Sequence, residues 1–157
     1  MYLKVFNDVT GGPGADLRVF NQAMGNGNDL IVAGDGNDWV LAGGGNDSIS
    51  GGTGSDVMWG GLGADTFKFN LTDFDGSVDV IKDFSNYQSD RLAFSGISSV
   101  TIDQYVKLVS DVSAKKTTLL IDTSGERNFA SPRNSIVLEN SIEFQTMEQL
   151  KSAMVFS

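Results

Sequence analysis

The stretch GDGNDWVLAGGGNDSIS, residues 34–50, writes the same glycine–asparagine–aspartate unit twice, nine residues apart. The period extends in both directions, so that consecutive nine-residue repeats cover residues 24–68. Position six is aspartate in every repeat: Asp29, Asp38, Asp47, Asp56 and Asp65. Glycine fills position two (Gly25, Gly34, Gly43, Gly52, Gly61) and position four (Gly27, Gly36, Gly45, Gly54, Gly63). Position eight is apolar: Ile31, Val40, Ile49, Met58 and Phe67. A strict internal period predicts a solenoid of stacked units.

The order of residues within one repeat predicts a turn followed by a short strand. The first six positions carry two or three glycines, which favour a turn whose backbone visits positive φ. The last three positions predict a strand whose middle side chain points away from its two neighbours. Two repeats then complete one coil, with strands in two opposing sheets and turns on both sides. We therefore predict an all-β fold, a parallel β-roll with position eight in its core.

The aspartates of alternate repeats should meet, because turns on the same side of such a roll stack about 4.8 Å apart. The expected pairs are Asp29 with Asp47, Asp47 with Asp65, and Asp38 with Asp56. These like charges repel one another unless a cation lies between them. Calcium takes six to eight oxygen ligands at roughly 2.3–2.6 Å and accepts backbone carbonyls together with carboxylates. The repeats therefore predict Ca²⁺ as cofactor, held by the aspartates and glycines of positions two, four and six, in about three interior sites with more at the ends of the roll.

The repeats GGTGSDVMW and GGLGADTFK resemble the nonapeptide of the RTX (repeats-in-toxin) family. The resemblance covers residues 24–69 and implies a right-handed roll with calcium between its turns. In that family such modules stay unfolded in the cytosol, pass a type I exporter and fold outside the cell. It therefore implies a secreted or cell-surface protein of a Gram-negative bacterium, with the type I secretion machinery as partner. The parent protein would be an adhesin or an exoenzyme, and the tail SAMVFS resembles the ends of type I secretion substrates.

The chain also resembles the calcium-binding R-modules of mannuronan C5-epimerases, which implies contact with alginate as an alternative function. The net charge of −9 opposes the binding of a polyanion unless the basic residues form one face. Those residues are Lys107, Lys115, Lys116, Arg127 and Arg133.

The overall composition narrows the remaining classes of function. The 157 residues include no histidine and no cysteine, which removes the common nucleophile–base pairs and any thiolate metal site. The negative charge argues against nucleic acid, and no apolar run is long enough for membrane insertion. We expect a monomeric, non-catalytic module.

The segment before the repeats, residues 1–23, predicts N-terminal strands that cap the roll. Within it, GGPGADLRV copies the first six repeat positions but places Arg18 in the apolar slot. It predicts either a further turn that contributes Asp16 to the stack, or a loop between two N-terminal strands.

The segment after the repeats, residues 70–157, predicts a cap on the open end of the roll, which otherwise exposes unpaired strand edges. Residues 78–97 resemble the segment that closes the roll in the RTX family. Asp79 and Asp83 are either calcium ligands at the end of the roll or part of a solvated edge strand. Residues 105–112, 117–123 and 134–140 predict antiparallel strands. Residues 146–154 predict one short amphipathic helix.

Two tryptophans, Trp39 and Trp59, should project from one sheet of the roll, because they occupy positions seven and nine of alternate repeats. We expect them to be buried under the N-terminal segment or the C-terminal cap. The alternative is a platform on which sugar rings stack.

Overall fold

The computed structural model describes residues 9–10, 17–18, 26–127, 129, 134–139, 144 and 146–156. Strands dominate these residues: β1 (Val9–Thr10), β2 (Leu17–Arg18), β3 (Leu30–Asp35), β4 (Trp39–Gly44), β5 (Ser48–Thr53), β6 (Val57–Leu62), β7 (Thr66–Asn70), β8 (Val78–Ile81), β9 (Arg91–Ser95), β10 (Val106–Asp111), β11 (Lys116–Ile121), β12 (Asn134–Glu139) and β13 (Met154–Phe156). The helices are short: α1 (Ile102–Tyr105), α2 (Met147–Ser152) and the 3-10 turns Leu71–Asp73 and Asn86–Gln88. None of the helices in the described ranges is long and apolar enough to cross a membrane.

Consecutive repeats alternate between two parallel sheets. One sheet has the order β1-β3-β5-β7-β9-β13, and the other has the order β10-β11-β12-β8-β6-β4-β2. Residues of alternate repeats lie opposite each other in exact register, as Ile31 does with Ile49 and Val40 with Met58. The predicted parallel β-roll is confirmed.

The strands of the roll are longer than the three residues that the repeat predicts. Each of β3 to β6 has six residues and continues into the first three positions of the next repeat. Gly34 pairs with Gly52 and Asp35 with Thr53, so the glycine segment joins the ladder even though Gly34 has a φ of 112°. The turn proper is therefore shorter than predicted, because stacked backbones satisfy one another's hydrogen bonds.

The core of the roll contains one large apolar side chain per repeat. The position-eight residues Ile31, Val40, Ile49, Met58 and Phe67 are fully buried. Each fully buried side chain of this size contributes about 1.5–3 kcal/mol relative to exposure. One such residue per nine is a small core for a segment so rich in glycine, whose ordering carries a high entropic cost.

The core widens after the last repeat, where aromatic side chains fill the end of the roll. Phe84 contacts both Phe67 and Phe144, with ring centroids 6.1 and 5.8 Å apart. Phe69 stacks on Phe74 and Phe94 at 6.1 and 5.7 Å. The C-terminal half thus has an aromatic core, which the described repeats before Phe67 lack.

The C-terminal strands extend both sheets of the roll. Strand β12 pairs in parallel with β8, and β11 and β10 follow as the predicted antiparallel strands. Strand β13, in the tail, pairs in parallel with β9. The predicted helix is α2, whose Thr146 side chain accepts a hydrogen bond from the Gln149 amide, and α1 is an additional helical turn.

The N-terminal strands also continue the roll. Strand β1 pairs in parallel with β3, and β2 pairs in parallel with β4, with Leu17 opposite Trp39 and Arg18 opposite Val40. This register places Arg18 in a position-eight slot. The turn residues 11–16, including Asp16, lie outside the described residues.

Candidate metal centre

The aspartates of position six form two ladders, one on each side of the roll. The turns ending in Asp29, Asp47 and Asp65 make up the first turn stack, and those ending in Asp38 and Asp56 make up the second. In the first stack, Oδ1 of Asp47 accepts a hydrogen bond from the Asp29 amide, and Oδ1 of Asp65 accepts one from the Asp47 amide, both at 2.9 Å. In the second stack, Oδ1 of Asp56 accepts one from the Asp38 amide at 2.8 Å. The expected pairs are therefore in contact.

In three of the ladder carboxylates the second oxygen is buried without a hydrogen bond. This holds for Oδ2 of Asp47, Asp56 and Asp65 among the described residues. A Cβ added to Gly51 would lie 2.1 Å from Oδ2 of Asp56, and one added to Gly60 would lie 2.3 Å from Oδ2 of Asp65. Oδ2 of Asp56 and of Asp65 therefore face space that a side chain at Gly51 or Gly60 would fill. An unpaired buried carboxylate oxygen is costly, so each calls for a partner.

The glycines of positions two and four stack closely, so that the carbonyl oxygen of one turn lies against the Cα of the glycine in the next turn. A Cβ added to Gly52 would lie 1.9 Å from the Gly34 carbonyl oxygen, and one added to Gly61 would lie 1.8 Å from that of Gly43. Both glycines have positive φ, 102° and 98°. The turns thus present carbonyl oxygens to one another at a distance that no side chain permits.

Burial raises the pKa of the ladder carboxyls. It raises the pKa of Asp47 and Asp65 to about 6 and that of Asp56 and Asp79 to about 7. The hydrogen bond from the preceding aspartate amide opposes this rise, and neighbouring carboxylates add to it. Without a cation, burial in the stack therefore disfavours the ionised form of these carboxyl groups at neutral pH.

The metal-free fold should consequently be more stable in mild acid. The ladder pKa values rise from 3.8 to about 6 or 7 on folding, so the folded state binds more protons than the unfolded state between these pH values. The stability that these groups contribute is then fully present below pH 3.8 and is lost as the pH rises through 6 to 7. In metal-free buffer we expect more β-sheet circular dichroism and a melting temperature several degrees higher at about pH 5.5 than at about pH 7.5. An equal or lower melting temperature in acid would contradict this.

The donor set fits a hard cation with mostly carbonyl ligands. Among the described residues, no three acidic side chains converge as a metal-binding cluster. A bound ion would therefore take one or two carboxylates, such as Asp47 and Asp65, and complete its shell with glycine carbonyl oxygens. Calcium tolerates such a shell, whereas magnesium demands near-ideal octahedral geometry and gives up water reluctantly.

Two overlapping segments, residues 25–58 and 32–67, match the family described as RTX calcium-binding nonapeptide repeat (4 copies). Together the two segments span residues 25–67, which are therefore similar to RTX repeats. The matched segment is well under half of the chain. The comparison with curated protein sequences found no significant match.

Solved structures with the same fold include two subunits of the Azotobacter vinelandii mannuronan C5-epimerase. The AlgE6R3 subunit has 23% identity and a TM-score of 0.61, and the match covers 97% of this chain and 83% of that one. The AlgE6R2 subunit has 20% identity and a TM-score of 0.54, with 92% of each chain covered. At these identities the likeness shows a shared fold, which extends beyond the RTX repeats to nearly the whole chain.

The structure places the remaining predicted site residues as follows. Asp79 continues the second turn stack, since its Oδ1 accepts the Asp56 amide at 3.0 Å. Asp83 lies at the first turn stack, where its two oxygens accept the amides of Gly60 and Gly61. The two are therefore on opposite sides of the roll. Gly25, like Asp16, lies outside the described residues.

Two features of the site were missed in the sequence. Asp90 continues the first stack, since its Oδ1 accepts the Asp65 amide at 3.0 Å. The asparagines of position five add side-chain bonds to both stacks: Oδ1 of Asn28, Asn37 and Asn46 accepts the amides of Asn46, Ser55 and Ala64 at 2.8, 2.7 and 2.9 Å. The signal for these asparagine bonds was the triplet GND, written three times in the repeats.

The two tryptophans are in contact, with Trp39 exposed and Trp59 partly buried. Trp39 and Trp59 lie with ring centroids 5.7 Å apart and planes tilted by 48°. Trp39 is 49% exposed, so the expectation that it is buried is wrong. The C-terminal strands do not pack over this face, because they pair with the open edge of β8 and continue the same sheet.

Proposed function

We propose that this chain is a calcium-dependent folding module. The observation that carries the proposal is the row of buried carboxylate oxygens without a hydrogen bond, Oδ2 of Asp47, Asp56 and Asp65, among the described residues of stacked glycine turns. Each becomes a ligand when calcium enters the stack.

Calcium would supply the folding energy that the repeats lack. Their core holds one large side chain per repeat, and their carboxyl groups oppose stacking while charged. Because the ligands come together only in the folded roll, the free energy of ion binding is folding free energy. Extracellular modules bind calcium at roughly 10⁻⁴–10⁻³ M, so such a roll stays unfolded where calcium is scarce.

The first test compares how much each aspartate of the first stack contributes to calcium affinity. Asp47 lies in the middle of the first stack, with its carboxylate on the Asp29 amide and its amide on the Asp65 carboxylate. It would serve two ions, whereas Asp29 and Asp65 would each serve one. We expect Asp47→Ala to weaken calcium binding in calorimetry by at least about tenfold, about 1.4 kcal/mol, and more than Asp29→Ala or Asp65→Ala does.

Asp47→Asn is the matched variant, because it keeps the Oδ1 acceptor and removes the charge. It should lose nearly as much calcium affinity as Asp47→Ala. Equal losses at all three aspartates would argue against shared ions in a stack.

A more specific proposal concerns the export of the protein that contains this module. We propose that the module belongs to a larger secreted protein, an adhesin or an exoenzyme, and that its C-terminal tail carries a type I secretion signal. The RTX repeats and the calcium-dependent folding support this assignment. The test is export of a fused reporter by a type I exporter, with and without residues 146–157.

A second candidate function is the binding of a polysaccharide such as mannuronan. The exposed Trp39, in contact with Trp59, favours it, as does the fold shared with mannuronan C5-epimerase subunits. The basic residues support it less. Lys116 lies opposite Asp111 on the neighbouring strand, and Arg133 lies outside the described residues.

This candidate predicts that Trp39 contacts the sugar. In the calcium-loaded protein, oligomannuronate should shift the tryptophan emission, and Trp39→Ala should weaken its binding at least about tenfold. Because Trp39 is half exposed, the same change should cost less than about 2 kcal/mol of stability. Tyr87→Ala, at a 94% exposed aromatic outside the sheets, is the control. Unchanged binding by Trp39→Ala would exclude this platform.

A further inference from the structure

The turns of the roll are joined by a repeated backbone hydrogen bond. The amide of Gly36 donates to the Thr53 carbonyl at 2.9 Å, and the amide of Gly45 donates to the Leu62 carbonyl at 2.7 Å. In each case a position-four glycine bonds to position three of the next turn in its stack. The last turn of the first stack, residues 60–65, has no following RTX repeat to supply this carbonyl.

Side chains from residues 83–90 take the place of that missing turn. Oε1 of Gln88 accepts the Gly63 amide at 3.0 Å, as a position-three carbonyl would, and its Nε2 donates to the Gly61 carbonyl at 3.3 Å. The Asp83 carboxylate accepts the amides of Gly60 and Gly61 at 3.0 and 2.9 Å. The primary amide of Gln88 thus mimics one peptide unit of the absent repeat.

The carboxylate oxygens that residues 83–90 place against the last turn all accept hydrogen bonds. Both carboxylate oxygens of Asp83 have amide donors, and so do both of Asp90, from Asp65 and Ser85. The RTX turns differ, since Oδ2 of Asp47 and Asp65 is buried with no hydrogen bond among the described residues. The two carboxylates that residues 83–90 bring to the last turn therefore lack the unsatisfied oxygens that elsewhere call for a cation.

We propose that Asp83 and Gln88 hold the last RTX turn in its stacked geometry without a metal ion, and so end the row of calcium sites in the first stack. They are positioning residues for the site between residues 42–47 and 60–65, because they order one of its two turns before the ion arrives. The proposal rests on the calcium-dependent folding proposed above. A pre-ordered turn raises the affinity of this site, since less conformational entropy is lost on binding.

Amide hydrogen exchange on the full chain tests the proposal residue by residue. In chelator, the amides of Gly60, Gly61 and Gly63 should remain protected, while those of Gly36 and Gly45 exchange quickly. In saturating calcium all five should be protected. Gln88→Ala should lower the protection of Gly63 in chelator at least about tenfold and weaken calcium binding, with the number of bound ions unchanged. Gln104→Ala, at an exposed glutamine of α1, is the control and should alter neither.

Three outcomes would overturn the proposal. One is fast exchange at Gly60, Gly61 and Gly63 in chelator together with normal calcium-induced folding, which leaves the proposed function intact. Another is the loss of one calcium ion in Gln88→Ala. Gln88→Glu keeps the acceptor for the Gly63 amide, so loss of Gly63 protection in that variant is the third. A chain that fails to bind calcium at all would instead contradict the proposed function.

Discussion

Chelation of calcium should unfold the repeats before the last turn and remove most of the β-sheet circular dichroism of strands β3 to β5. The reason is that the small apolar core of this segment, with one large side chain per repeat, stabilises it too little to offset the repulsion within the buried carboxylate ladders. With calcium present, like charges become shared ligands. Without it, ionised carboxylates at neutral pH repel one another, and Oδ2 of Asp47, Asp56 and Asp65 has no hydrogen bond among the described residues.

Magnesium should not restore the lost signal, because the smaller ion resists exchanging water for glycine carbonyls. The measurement is a circular dichroism titration from the chelated state with each ion in turn. The C-terminal half, with its aromatic core, provides the internal reference. A chain whose repeats are equally folded in chelator would refute calcium-dependent folding.

Gly61→Ala should have the largest effect of any single substitution in the roll. A Cβ at this position would lie 1.8 Å from the Gly43 carbonyl oxygen, and the residue has a φ of 98°. The clash is with backbone, so it is relieved only by separating two stacked turns and the ion site between them. We expect a loss of about 4 kcal/mol or more in saturating calcium, measured by urea unfolding.

Gly96→Ala is the control that separates the clash from the backbone strain. Gly96 also has a positive φ, 82°, but the nearest atom to an added Cβ is Leu71 Cδ1 at 3.6 Å, an ordinary contact. This variant should lose only about 1 kcal/mol. Equal losses for the two variants would show that φ alone, and not the stacking of carbonyl on Cα, explains the need for glycine.

The regular part of this molecule was predictable from the sequence because its interactions recur with the period of the chain. A nine-residue repeat with an apolar position eight can bury that residue only by alternating between two sheets, so Val40 had to meet Met58. The same period brings Asp47 to Asp29 and Asp65, and the glycines follow from turns that admit no Cβ. Local chemistry and periodicity decide these features together.

The end of the roll was decided only by the tertiary structure. Asp79 and Asp90 occupy ladder positions although they follow Asp56 and Asp65 by 23 and 25 residues, because insertions between strands break the period without breaking the register. Gln88 acts as a peptide unit only because the fold brings it over Gly61 and Gly63. The exposure of Trp39 has the same origin. The C-terminal strands could have covered that face, but they pair with the open edge of β8, where unpaired backbone groups gain hydrogen bonds.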